Sequence, residues 1–445
     1  MPVKISDKMK NWIAQSGSLN SFYDFRISSS HIVKYTILKA YDDFYISLYC
    51  TTLEAIREIE STKREDLLSL AKGLELFARK NVAELFSGIN PYDAMVLAAV
   101  LKYVSGYSSC SKLLIAGANG LEYDAAAPQI SSFLSAFLNR DFKLSENDLF
   151  NHLRNFLNTG RQEFLKLIVD NLNDEIDKSI DKGPIEYFMG VTAKALVEYY
   201  FDNNIWRPLL SINDAHEFWS EFVKANAKNG IWDFFPSQLK AIDKGVLNSD
   251  KSFALQMPTS SGKTTLCEVL IYYHVKSTKN GKVVLLAPFR ALASELKLSM
   301  GRNLKVYGIK VKALYGGNAP SSIEQDSIEN ADLIIATPEK MMAIEDVMPK
   351  LLQNITLVIC DEGHLLDDPS RGLDYELFLT RLKVIRGNKA RFIYLSAIVP
   401  NLSDVNAWLG GDDDTSISSE YRPTTIDIAY LKEQSRAKYK LDVNP

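Results

Sequence analysis

The chain has 445 residues, more than one ordinary hydrophobic core holds, so its length predicts two or three domains. With 46% hydrophobic and 24% charged residues, the composition is that of a soluble globular protein without low-complexity segments. The net charge of −4 excludes a generally basic protein, so we expect any nucleic-acid-binding surface to be local.

The cysteines and the N-terminus indicate the cellular compartment in which the protein is expected. Four scattered cysteines form no Cys-x-x-Cys pair, which argues against structural zinc and against a disulfide framework. The N-terminus carries no signal peptide, and no run of about twenty apolar residues is long enough to span a membrane. We therefore expect a cytoplasmic protein without membrane contact.

Residues 1–225 show helical periodicity and few strand signals, which predicts an all-α N-terminal domain. Apolar residues recur at three- and four-residue spacing in residues 32–60, 64–86, 92–116, 130–138, 147–157 and 192–200. Asn90-Pro91 is typical of a helix start, and Gly160 and Gly190 are typical of helix ends. We expect the frequent Tyr and Phe residues to pack between helices.

From about residue 231, strand-like runs alternate with helical runs. The predicted strands are residues 253–256, 283–287, 311–314, 333–336, 357–360 and 392–395. Near-continuous apolar strands separated by helices predict an α/β fold with a parallel sheet covered on both faces. Ligands of such sheets bind at the carboxyl ends of the strands, and each motif below follows one of them.

A small polar turn after the first predicted strand has the composition of a phosphate-binding loop. Backbone N–H groups point inward in such a turn, the following helix N-terminus adds positive potential and Lys263 adds a full charge. Thr264 offers a hydroxyl to Mg²⁺. The usual pattern is Gly-x-x-x-x-Gly-Lys-Ser/Thr, with Met257 here in place of the first glycine. The residues expected to bind the nucleotide are Pro258, Thr259, Ser260, Ser261, Gly262, Lys263, Thr264 and Thr265.

Asp361 and Glu362 end another buried strand about a hundred residues after this loop, within the span of one domain. Alone, such a pair is more typical of a helix cap with solvated charges. Together with the loop it predicts a nucleotide hydrolase whose catalytic residues are Glu362, Asp361 and Lys263. Asp361 holds Mg²⁺ through its water shell, and Glu362 polarises the water that attacks the γ-phosphate.

These motifs make residues 231–425 resemble a superfamily-two helicase of the DEAD/DEAH-box class, superkiller-like branch, with Asp-Glu-Gly-His as the box. Six motifs occur in the order of the family. The resemblance implies a RecA-like lobe of the P-loop NTPase type at residues 226–425, with ATP and Mg²⁺ as cofactors.

The resemblance assigns further roles around the nucleotide. Gln238 matches the adenine-reading motif, because an amide donates and accepts at once; alone, it reads as a surface residue near a helix start. Ser396 and Ala397 match the motif that couples hydrolysis to strand movement, with Ser396 reaching His364. Ile398 replaces the usual threonine there and lacks its hydroxyl group.

Three further motifs resemble those that clamp the nucleic-acid backbone. Arg290, at a helix start, is expected to bond a phosphate. A plain turn at Gly316-Gly317 and a helix cap at Thr337-Pro338 are the alternatives, and both are compatible with phosphate binding. The residues expected on the nucleic-acid track are Pro288, Arg290, Gly316, Gly317, Thr337, Pro338 and Glu339.

The family's motor also needs a second RecA-like lobe, which supplies arginine fingers. Tyr421-Arg422-Pro423 resembles the segment between the lobes, so residues 426–445 are expected to be a linker toward it. We expect either a fragment of a longer helicase or a half-motor completed by another polypeptide. The helical leader before the motor resembles the layout of bacterial anti-phage defence helicases, the Hachiman type among them.

The sequence therefore predicts an ATP-dependent nucleic-acid helicase or translocase, with 3′→5′ polarity implied by the resemblance and DNA slightly favoured over RNA. Its partners are single-stranded or tailed duplex nucleic acid, a second lobe and a protein bound by the N-terminal domain. The alternative is a non-motor ATP switch or scaffold that binds a protein partner. Stimulation of ATP turnover by nucleic acid separates the two.

Overall fold

The computed structural model describes residues 3, 5–24, 40–79, 90–117, 127–141, 148–279, 281–315, 320–369, 372–424, 428–435 and 438–444, with residues 21–24, 41, 428–435 and 438–444 described by their backbone. The chain forms two compact units. The first unit comprises Met1–Asn204, Gly230–Trp232 and Pro423–Pro445, and the second comprises Ile205–Asn229 and Asp233–Arg422. The domain limits expected from the sequence, 1–225, 226–425 and 426–445, stay a prediction.

The described part of the first unit is mainly helical. Its helices are α1 (Asp7–Asp24), α2 (Tyr41–Arg57), α3 (Arg64–Phe77), α4 (Pro91–Val104), α5 (Ser108–Ala116), α6 (Pro128–Asn139), α7 (Asp148–Thr159), α8 (Glu163–Ser179) and α9 (Pro184–Asp202). Aromatic side chains fill its core, as expected. The Phe137 and Tyr200 rings meet edge to face at 5.1 Å, and the Tyr200 hydroxyl donates to the Trp232 carbonyl at 2.8 Å.

Two sequence predictions within these helices are wrong. A single helix over 92–116 is broken between α4 and α5, where Gly106 has a φ of 89°. Gly190 does not end a helix but lies inside α9. A Cβ atom there would lie 2.7 Å from Cγ1 of Ile176, so the glycine permits close packing of α8 on α9. Asn90 caps α4 as predicted, with its side chain accepting from the Tyr92 N–H.

The last part of the chain, expected to be a linker, contains two antiparallel strands in the first unit. They are Ile428–Ser435 and Lys438–Asn444. None of the described helices combines the length and the apolar character that a membrane-spanning segment requires.

The second unit is built on a seven-stranded sheet. The strands are β1 (Phe253–Gln256), β2 (Lys282–Leu286), β3 (Val311–Leu314), β4 (Leu333–Ala336), β5 (Ile355–Cys360), β6 (Arg391–Ser396) and β7 (Ser416–Ser418). They lie in the order β3-β4-β2-β5-β6-β1-β7, and each neighbouring pair is parallel. The predicted α/β fold with a parallel sheet is thereby confirmed.

Helices surround this sheet and connect its strands. They are α10 (Trp206–Ile212), α11 (His216–Lys228), α12 (Pro236–Asp243), α13 (Lys263–Ser277), α14 (Arg290–Val306), α15 (Ser322–Glu329), α16 (Pro338–Val347), α17 (Pro349–Leu352), α18 (Gly372–Arg386) and α19 (Leu402–Trp408). Strands such as β4 are buried on both faces, which explains their uninterrupted apolar sequence.

Candidate nucleotide and nucleic-acid site

The register of the sheet brings the predicted motifs to one edge. Gln256 at the end of β1 pairs with Ser396 of β6, and Leu286 of β2 pairs with both Cys360 of β5 and Ala336 of β4. The phosphate-binding loop, the Asp-Glu-Gly-His box, the Ser396 motif and the motifs at Pro288 and Thr337 begin at or within two positions of these residues, so they lie along the carboxyl edge.

The phosphate-binding loop is tied to β6 and then turns sharply into α13. The Met257 N–H donates to the Ser396 carbonyl at 2.8 Å, and the Ser261 hydroxyl donates to the Pro258 carbonyl at 2.6 Å. Gly262 caps α13 with a φ of 91°. A Cβ atom on Gly262 would lie 2.5 Å from Nε2 of Gln238, so both conformation and space require glycine there. Among the loop residues, Thr259, Ser260 and Thr264 are exposed, and Pro258, Lys263 and Thr265 are half-buried.

Gln238 is buried and already bonded on both sides of its amide. Its Oε1 accepts from the Phe235 N–H at 2.7 Å, and its Nε2 donates to the Gly262 carbonyl at 2.8 Å. A primary amide has two N–H donors and two lone pairs, so one of each remains for a ligand. Adenine reading stays a prediction, and the observed contacts show that Gln238 also holds the end of the loop.

Lys263 and the two box carboxylates lie together at this edge. Nζ of Lys263 is 3.3 Å from Oε1 of Glu362, whose Oε2 is 3.4 Å from Nδ1 of His364. Glu362 holds a left-handed φ of 48°, a conformation that a side chain adopts at a cost of about 1–3 kcal/mol. The turn therefore holds the carboxylate against the ammonium at the expense of backbone strain.

Asp361 lies behind this pair and is buried. Burial, together with the charge of Glu362, raises the pKa of Asp361 to about 6, against the opposing effect of Lys263. Two carboxylates share one ammonium group, so the site has an excess of negative charge that a cation would offset. Among the described residues, no group of three or more His, Cys, Asp or Glu side chains could hold a metal. The hard oxygen donors Thr264 and Asp361 suit Mg²⁺, which keeps several water ligands.

The predicted link between Ser396 and His364 is made through the backbone. The His364 N–H donates to Oγ of Ser396 at 3.2 Å, and that hydroxyl donates to the Ile398 carbonyl at 3.3 Å. The Ile398 side chain is 72% exposed, and Ala397 is half-buried. Ser396 therefore connects the box to the next loop, although its coupling role stays a prediction.

The sequence reading missed the reason for glycine in the box. A Cβ atom on Gly363 would lie 2.2 Å from Cε2 of Tyr394, a buried ring on β6. Tyr394 thus occupies the space that a side chain at position 363 would need. The two residues are 31 positions apart, so only the strand pairing of β5 with β6 reveals the contact.

The nucleic-acid motifs lie at the same edge. Arg290 is exposed at the first turn of α14, and Thr337 caps α16 by accepting from the Lys340 N–H at 3.4 Å. Pro338 stands at the first position of α16, so the cap alternative is realised in the structure. One cavity joins the two motifs and is lined by Pro288, Phe289, Pro338, Glu339, Leu365, Asp368 and Tyr375. Gly316 and Gly317 lie outside the described residues.

Residues 235–405 match the family model of the DEAD/DEAH box helicase. The chain carries a DEAD/DEAH box helicase domain. It is 33% identical over 302 residues to Hachiman protein HamB of Bacillus cereus, which covers 67% of this chain and 27% of HamB. It is 29% identical over 210 residues to the ATP-dependent DNA helicase Hel308 of Methanocaldococcus jannaschii, covering 46% of this chain and 17% of Hel308.

The chain thus spans less than a third of the length of these relatives. Among solved structures, the Mycobacterium smegmatis helicase Lhr bound to ssDNA and AMP-PNP is similar with a TM-score of 0.40 and 23% identity. That match covers 48% of this chain and 28% of Lhr.

Proposed function

We propose that the helicase domain binds ATP with Mg²⁺ and hydrolyses it in response to nucleic acid, as the motor of a helicase or translocase. The observation that carries this proposal is the meeting of Lys263, Asp361 and Glu362 at the carboxyl edge. One ammonium group, two carboxylates and a helix N-terminus match the charges of a metal-bound triphosphate and an attacking water.

Each residue has a separate task in this proposal. When ATP binds, the Lys263 ammonium group leaves the Glu362 carboxylate and contacts the β- and γ-phosphates. Thr264 and Asp361 would hold Mg²⁺. Bound Mg²⁺ supplies charge neutralisation for the phosphate oxygens. Glu362, released from Lys263, takes the position of the group that polarises water. Gln238 offers its remaining donor and acceptor to adenine.

The nucleic-acid side of the proposal rests on exposed groups at the same edge. Arg290 and the capped start of α16 at Thr337 present a guanidinium group and a helix N-terminus to a phosphate backbone. We propose DNA over RNA and 3′→5′ movement on the resemblance alone. A second RecA-like lobe, from the same or another polypeptide, belongs to the proposal.

The likeness to HamB supports a role in antiviral defence of the Hachiman type. An alignment of 302 residues is longer than residues 226–445, so it extends into the helical region. The Hel308 alignment of 210 residues fits within residues 226–445 by length. We propose that the helical region positions a protein partner or the duplex.

ATP hydrolysis and ligand binding by the 445-residue chain test the proposal. We expect ATP binding with slow turnover, because the arginine fingers of a second lobe add roughly 10³–10⁵ in rate. Lys263→Ala should weaken ATP binding on the order of a hundredfold by removing the phosphate-binding charge. Arg290→Ala should weaken binding of single-stranded DNA about tenfold and leave ATP binding unchanged.

Two results would contradict the proposal. If Lys263→Ala leaves ATP binding unchanged, the loop does not bind the phosphates of ATP as proposed. Lys263-dependent ATP binding, combined with no affinity for single-stranded DNA or RNA, would favour the non-motor switch.

A further inference from the structure

The phosphate-loop helix α13 carries a buried carboxylate that the nucleotide site does not use. Glu268 is 4% exposed, and Oε1 accepts from the Tyr307 hydroxyl at 2.7 Å. Nδ2 of Asn303 donates to both carboxylate oxygens at 3.1 and 3.3 Å, and Nδ2 of Asn226 donates to Oε1 at 3.4 Å. Glu268 therefore joins three helices: its own α13, α14 through Asn303 and the C-cap residue Tyr307, and α11 through Asn226.

This network is made of neutral donors around a group that burial disfavours as an anion. Burial raises the pKa of Glu268, and the hydrogen bonds from Tyr307, Asn303 and Asn226 act in the opposite direction. Displacing this buried carboxylate would leave its donors without acceptors, which is costly inside a protein. The network therefore favours a single arrangement. The carboxylate thus fixes the position of α13 relative to α14.

Helix α11 lies before the matched helicase residues 235–405, yet it packs closely on α13. The Trp219 ring stacks on the rings of Tyr272 and Tyr273 at 5.7 and 5.8 Å. The Tyr272 hydroxyl donates to the Phe218 carbonyl. Asn226 is therefore held by an apolar interface as well as by its own hydrogen bonds.

We propose that Glu268 is a positioning residue for nucleotide binding, and that α11 belongs to the working ATP-binding lobe through Asn226. Glu268 follows Lys263 by five positions, which is about 7.5 Å along one rigid helix. Any shift that Glu268 permits is therefore passed to the start of α13, where Gly262 and Lys263 face the phosphates. This inference rests on the proposed function, since it concerns the same nucleotide site.

Binding of the fluorescent analogue mant-ATP to the full chain, with Mg²⁺, tests the inference. Glu268→Gln keeps the shape but turns one acceptor into a donor facing Asn303, and we expect about tenfold weaker binding. Tyr307→Phe removes one donor and is expected to cost about threefold. Asn226→Ala should also cost about threefold, although it lies outside the matched residues.

Glu345→Gln is the matched control, because Glu345 is also a nearly buried glutamate of the second unit. It pairs with Arg381 at 3.1 Å and joins α16 to α18. We expect it to lower the melting temperature comparably to Glu268→Gln while leaving mant-ATP affinity within about twofold of the native chain. If both variants lose similar stability but only Glu268→Gln loses mant-ATP affinity, Glu268 positions the nucleotide site and does more than pack the core.

Native affinity in both Glu268→Gln and Tyr307→Phe would overturn the inference. If the native chain shows no Lys263-dependent binding, the proposed function fails, and hydrogen–deuterium exchange then decides the inference by itself. Faster exchange of residues 257–266 in Glu268→Gln but not in Glu345→Gln would uphold positioning. Unchanged exchange there would reject it.

Discussion

The carboxyl and amino edges of the parallel sheet both carry charged side chains, but they use them differently. At the carboxyl edge, Lys263 faces the Glu362 carboxylate, and burial raises the pKa of Asp361 to about 6. Ser260 and Glu362 there hold positive φ angles of 65° and 48°. Charge and strain are both concentrated where the strands end.

At the amino edge, cationic side chains are bonded to main-chain carbonyl groups. The Arg391 guanidinium donates to three carbonyl oxygens at 2.8–3.3 Å, those of Val246, Leu247 and Lys251. Lys282 donates to the carbonyls of Glu329 and Ala331. Nε2 of His274 is 2.7 Å from Oγ1 of Thr356.

We infer from this difference that the charges of the amino edge stabilise the fold and that those of the carboxyl edge serve a ligand. A guanidinium group that satisfies fixed carbonyl groups stabilises the fold, and its loss leaves buried acceptors unpaired. A strained turn with excess negative charge destabilises the fold, and its loss should affect ligands more than stability. The predictions below test the two edges against each other.

Glu362→Gln should have the largest effect, at the carboxyl edge. We expect single-turnover ATP hydrolysis to fall about 10³-fold, because the group that polarises water is removed. ATP binding should be retained or tighter, since Lys263 no longer has to leave a carboxylate. The free energy of unfolding should stay unchanged or rise, because Asp361 loses a neighbouring like charge. Hydrolysis at the native rate would remove Glu362 from its role.

The strands and motifs of this edge were predictable from sequence because their signals are local. Strands such as β4 are uninterrupted apolar runs, and a small polar turn before a helix indicates a phosphate loop by composition. Three-residue β7 was missed, because Ile417 is its only apolar residue. Helices α8 and α11 were also missed, although both have apolar residues at helical spacing.

Tertiary contacts account for the rest of the differences. Gly190 is typical of a helix end by sequence, but it lies within a helix and is a glycine because Ile176 of the neighbouring helix packs against it. Gly363 is, by sequence, one variant of the box, but the reason for glycine there is the Tyr394 ring, which occupies the space of a side chain. Glu268 lies in a helical run, and its burial depends on contacts with α11 and with the end of α14. Such contacts join positions far apart in the chain, so no local pattern reports them.

Arg391→Ala should have the second-largest effect, at the amino edge. Burial lowers the pKa of Arg391 to about 10, and truncation leaves three carbonyl groups without their donor. We expect a loss of about 3 kcal/mol in the free energy of unfolding, measured with urea. Mant-ATP affinity of the folded fraction should be unchanged. Arg391→Lys, which keeps the charge without the planar fork, should recover little. Weakened mant-ATP binding by the folded variant would contradict the claim that charges at the amino edge affect stability and not ligand binding.

His274→Gln should have the smallest effect and should appear only on acidification. Burial, and then the charge of Arg391, lower the pKa of His274 from 6.5 to about 4 in the folded chain. Between these two pH values the unfolded chain binds a proton that the folded chain does not, so native stability falls as the pH falls from 6.5 to 4. We expect this residue to contribute a loss of about 1 kcal/mol for each pH unit within that window. Glutamine keeps a polar partner for Thr356 without titrating, so urea unfolding of the variant at several pH values should show a shallower decline. An equally steep decline in the variant would mean that the amino edge does not hold His274 neutral.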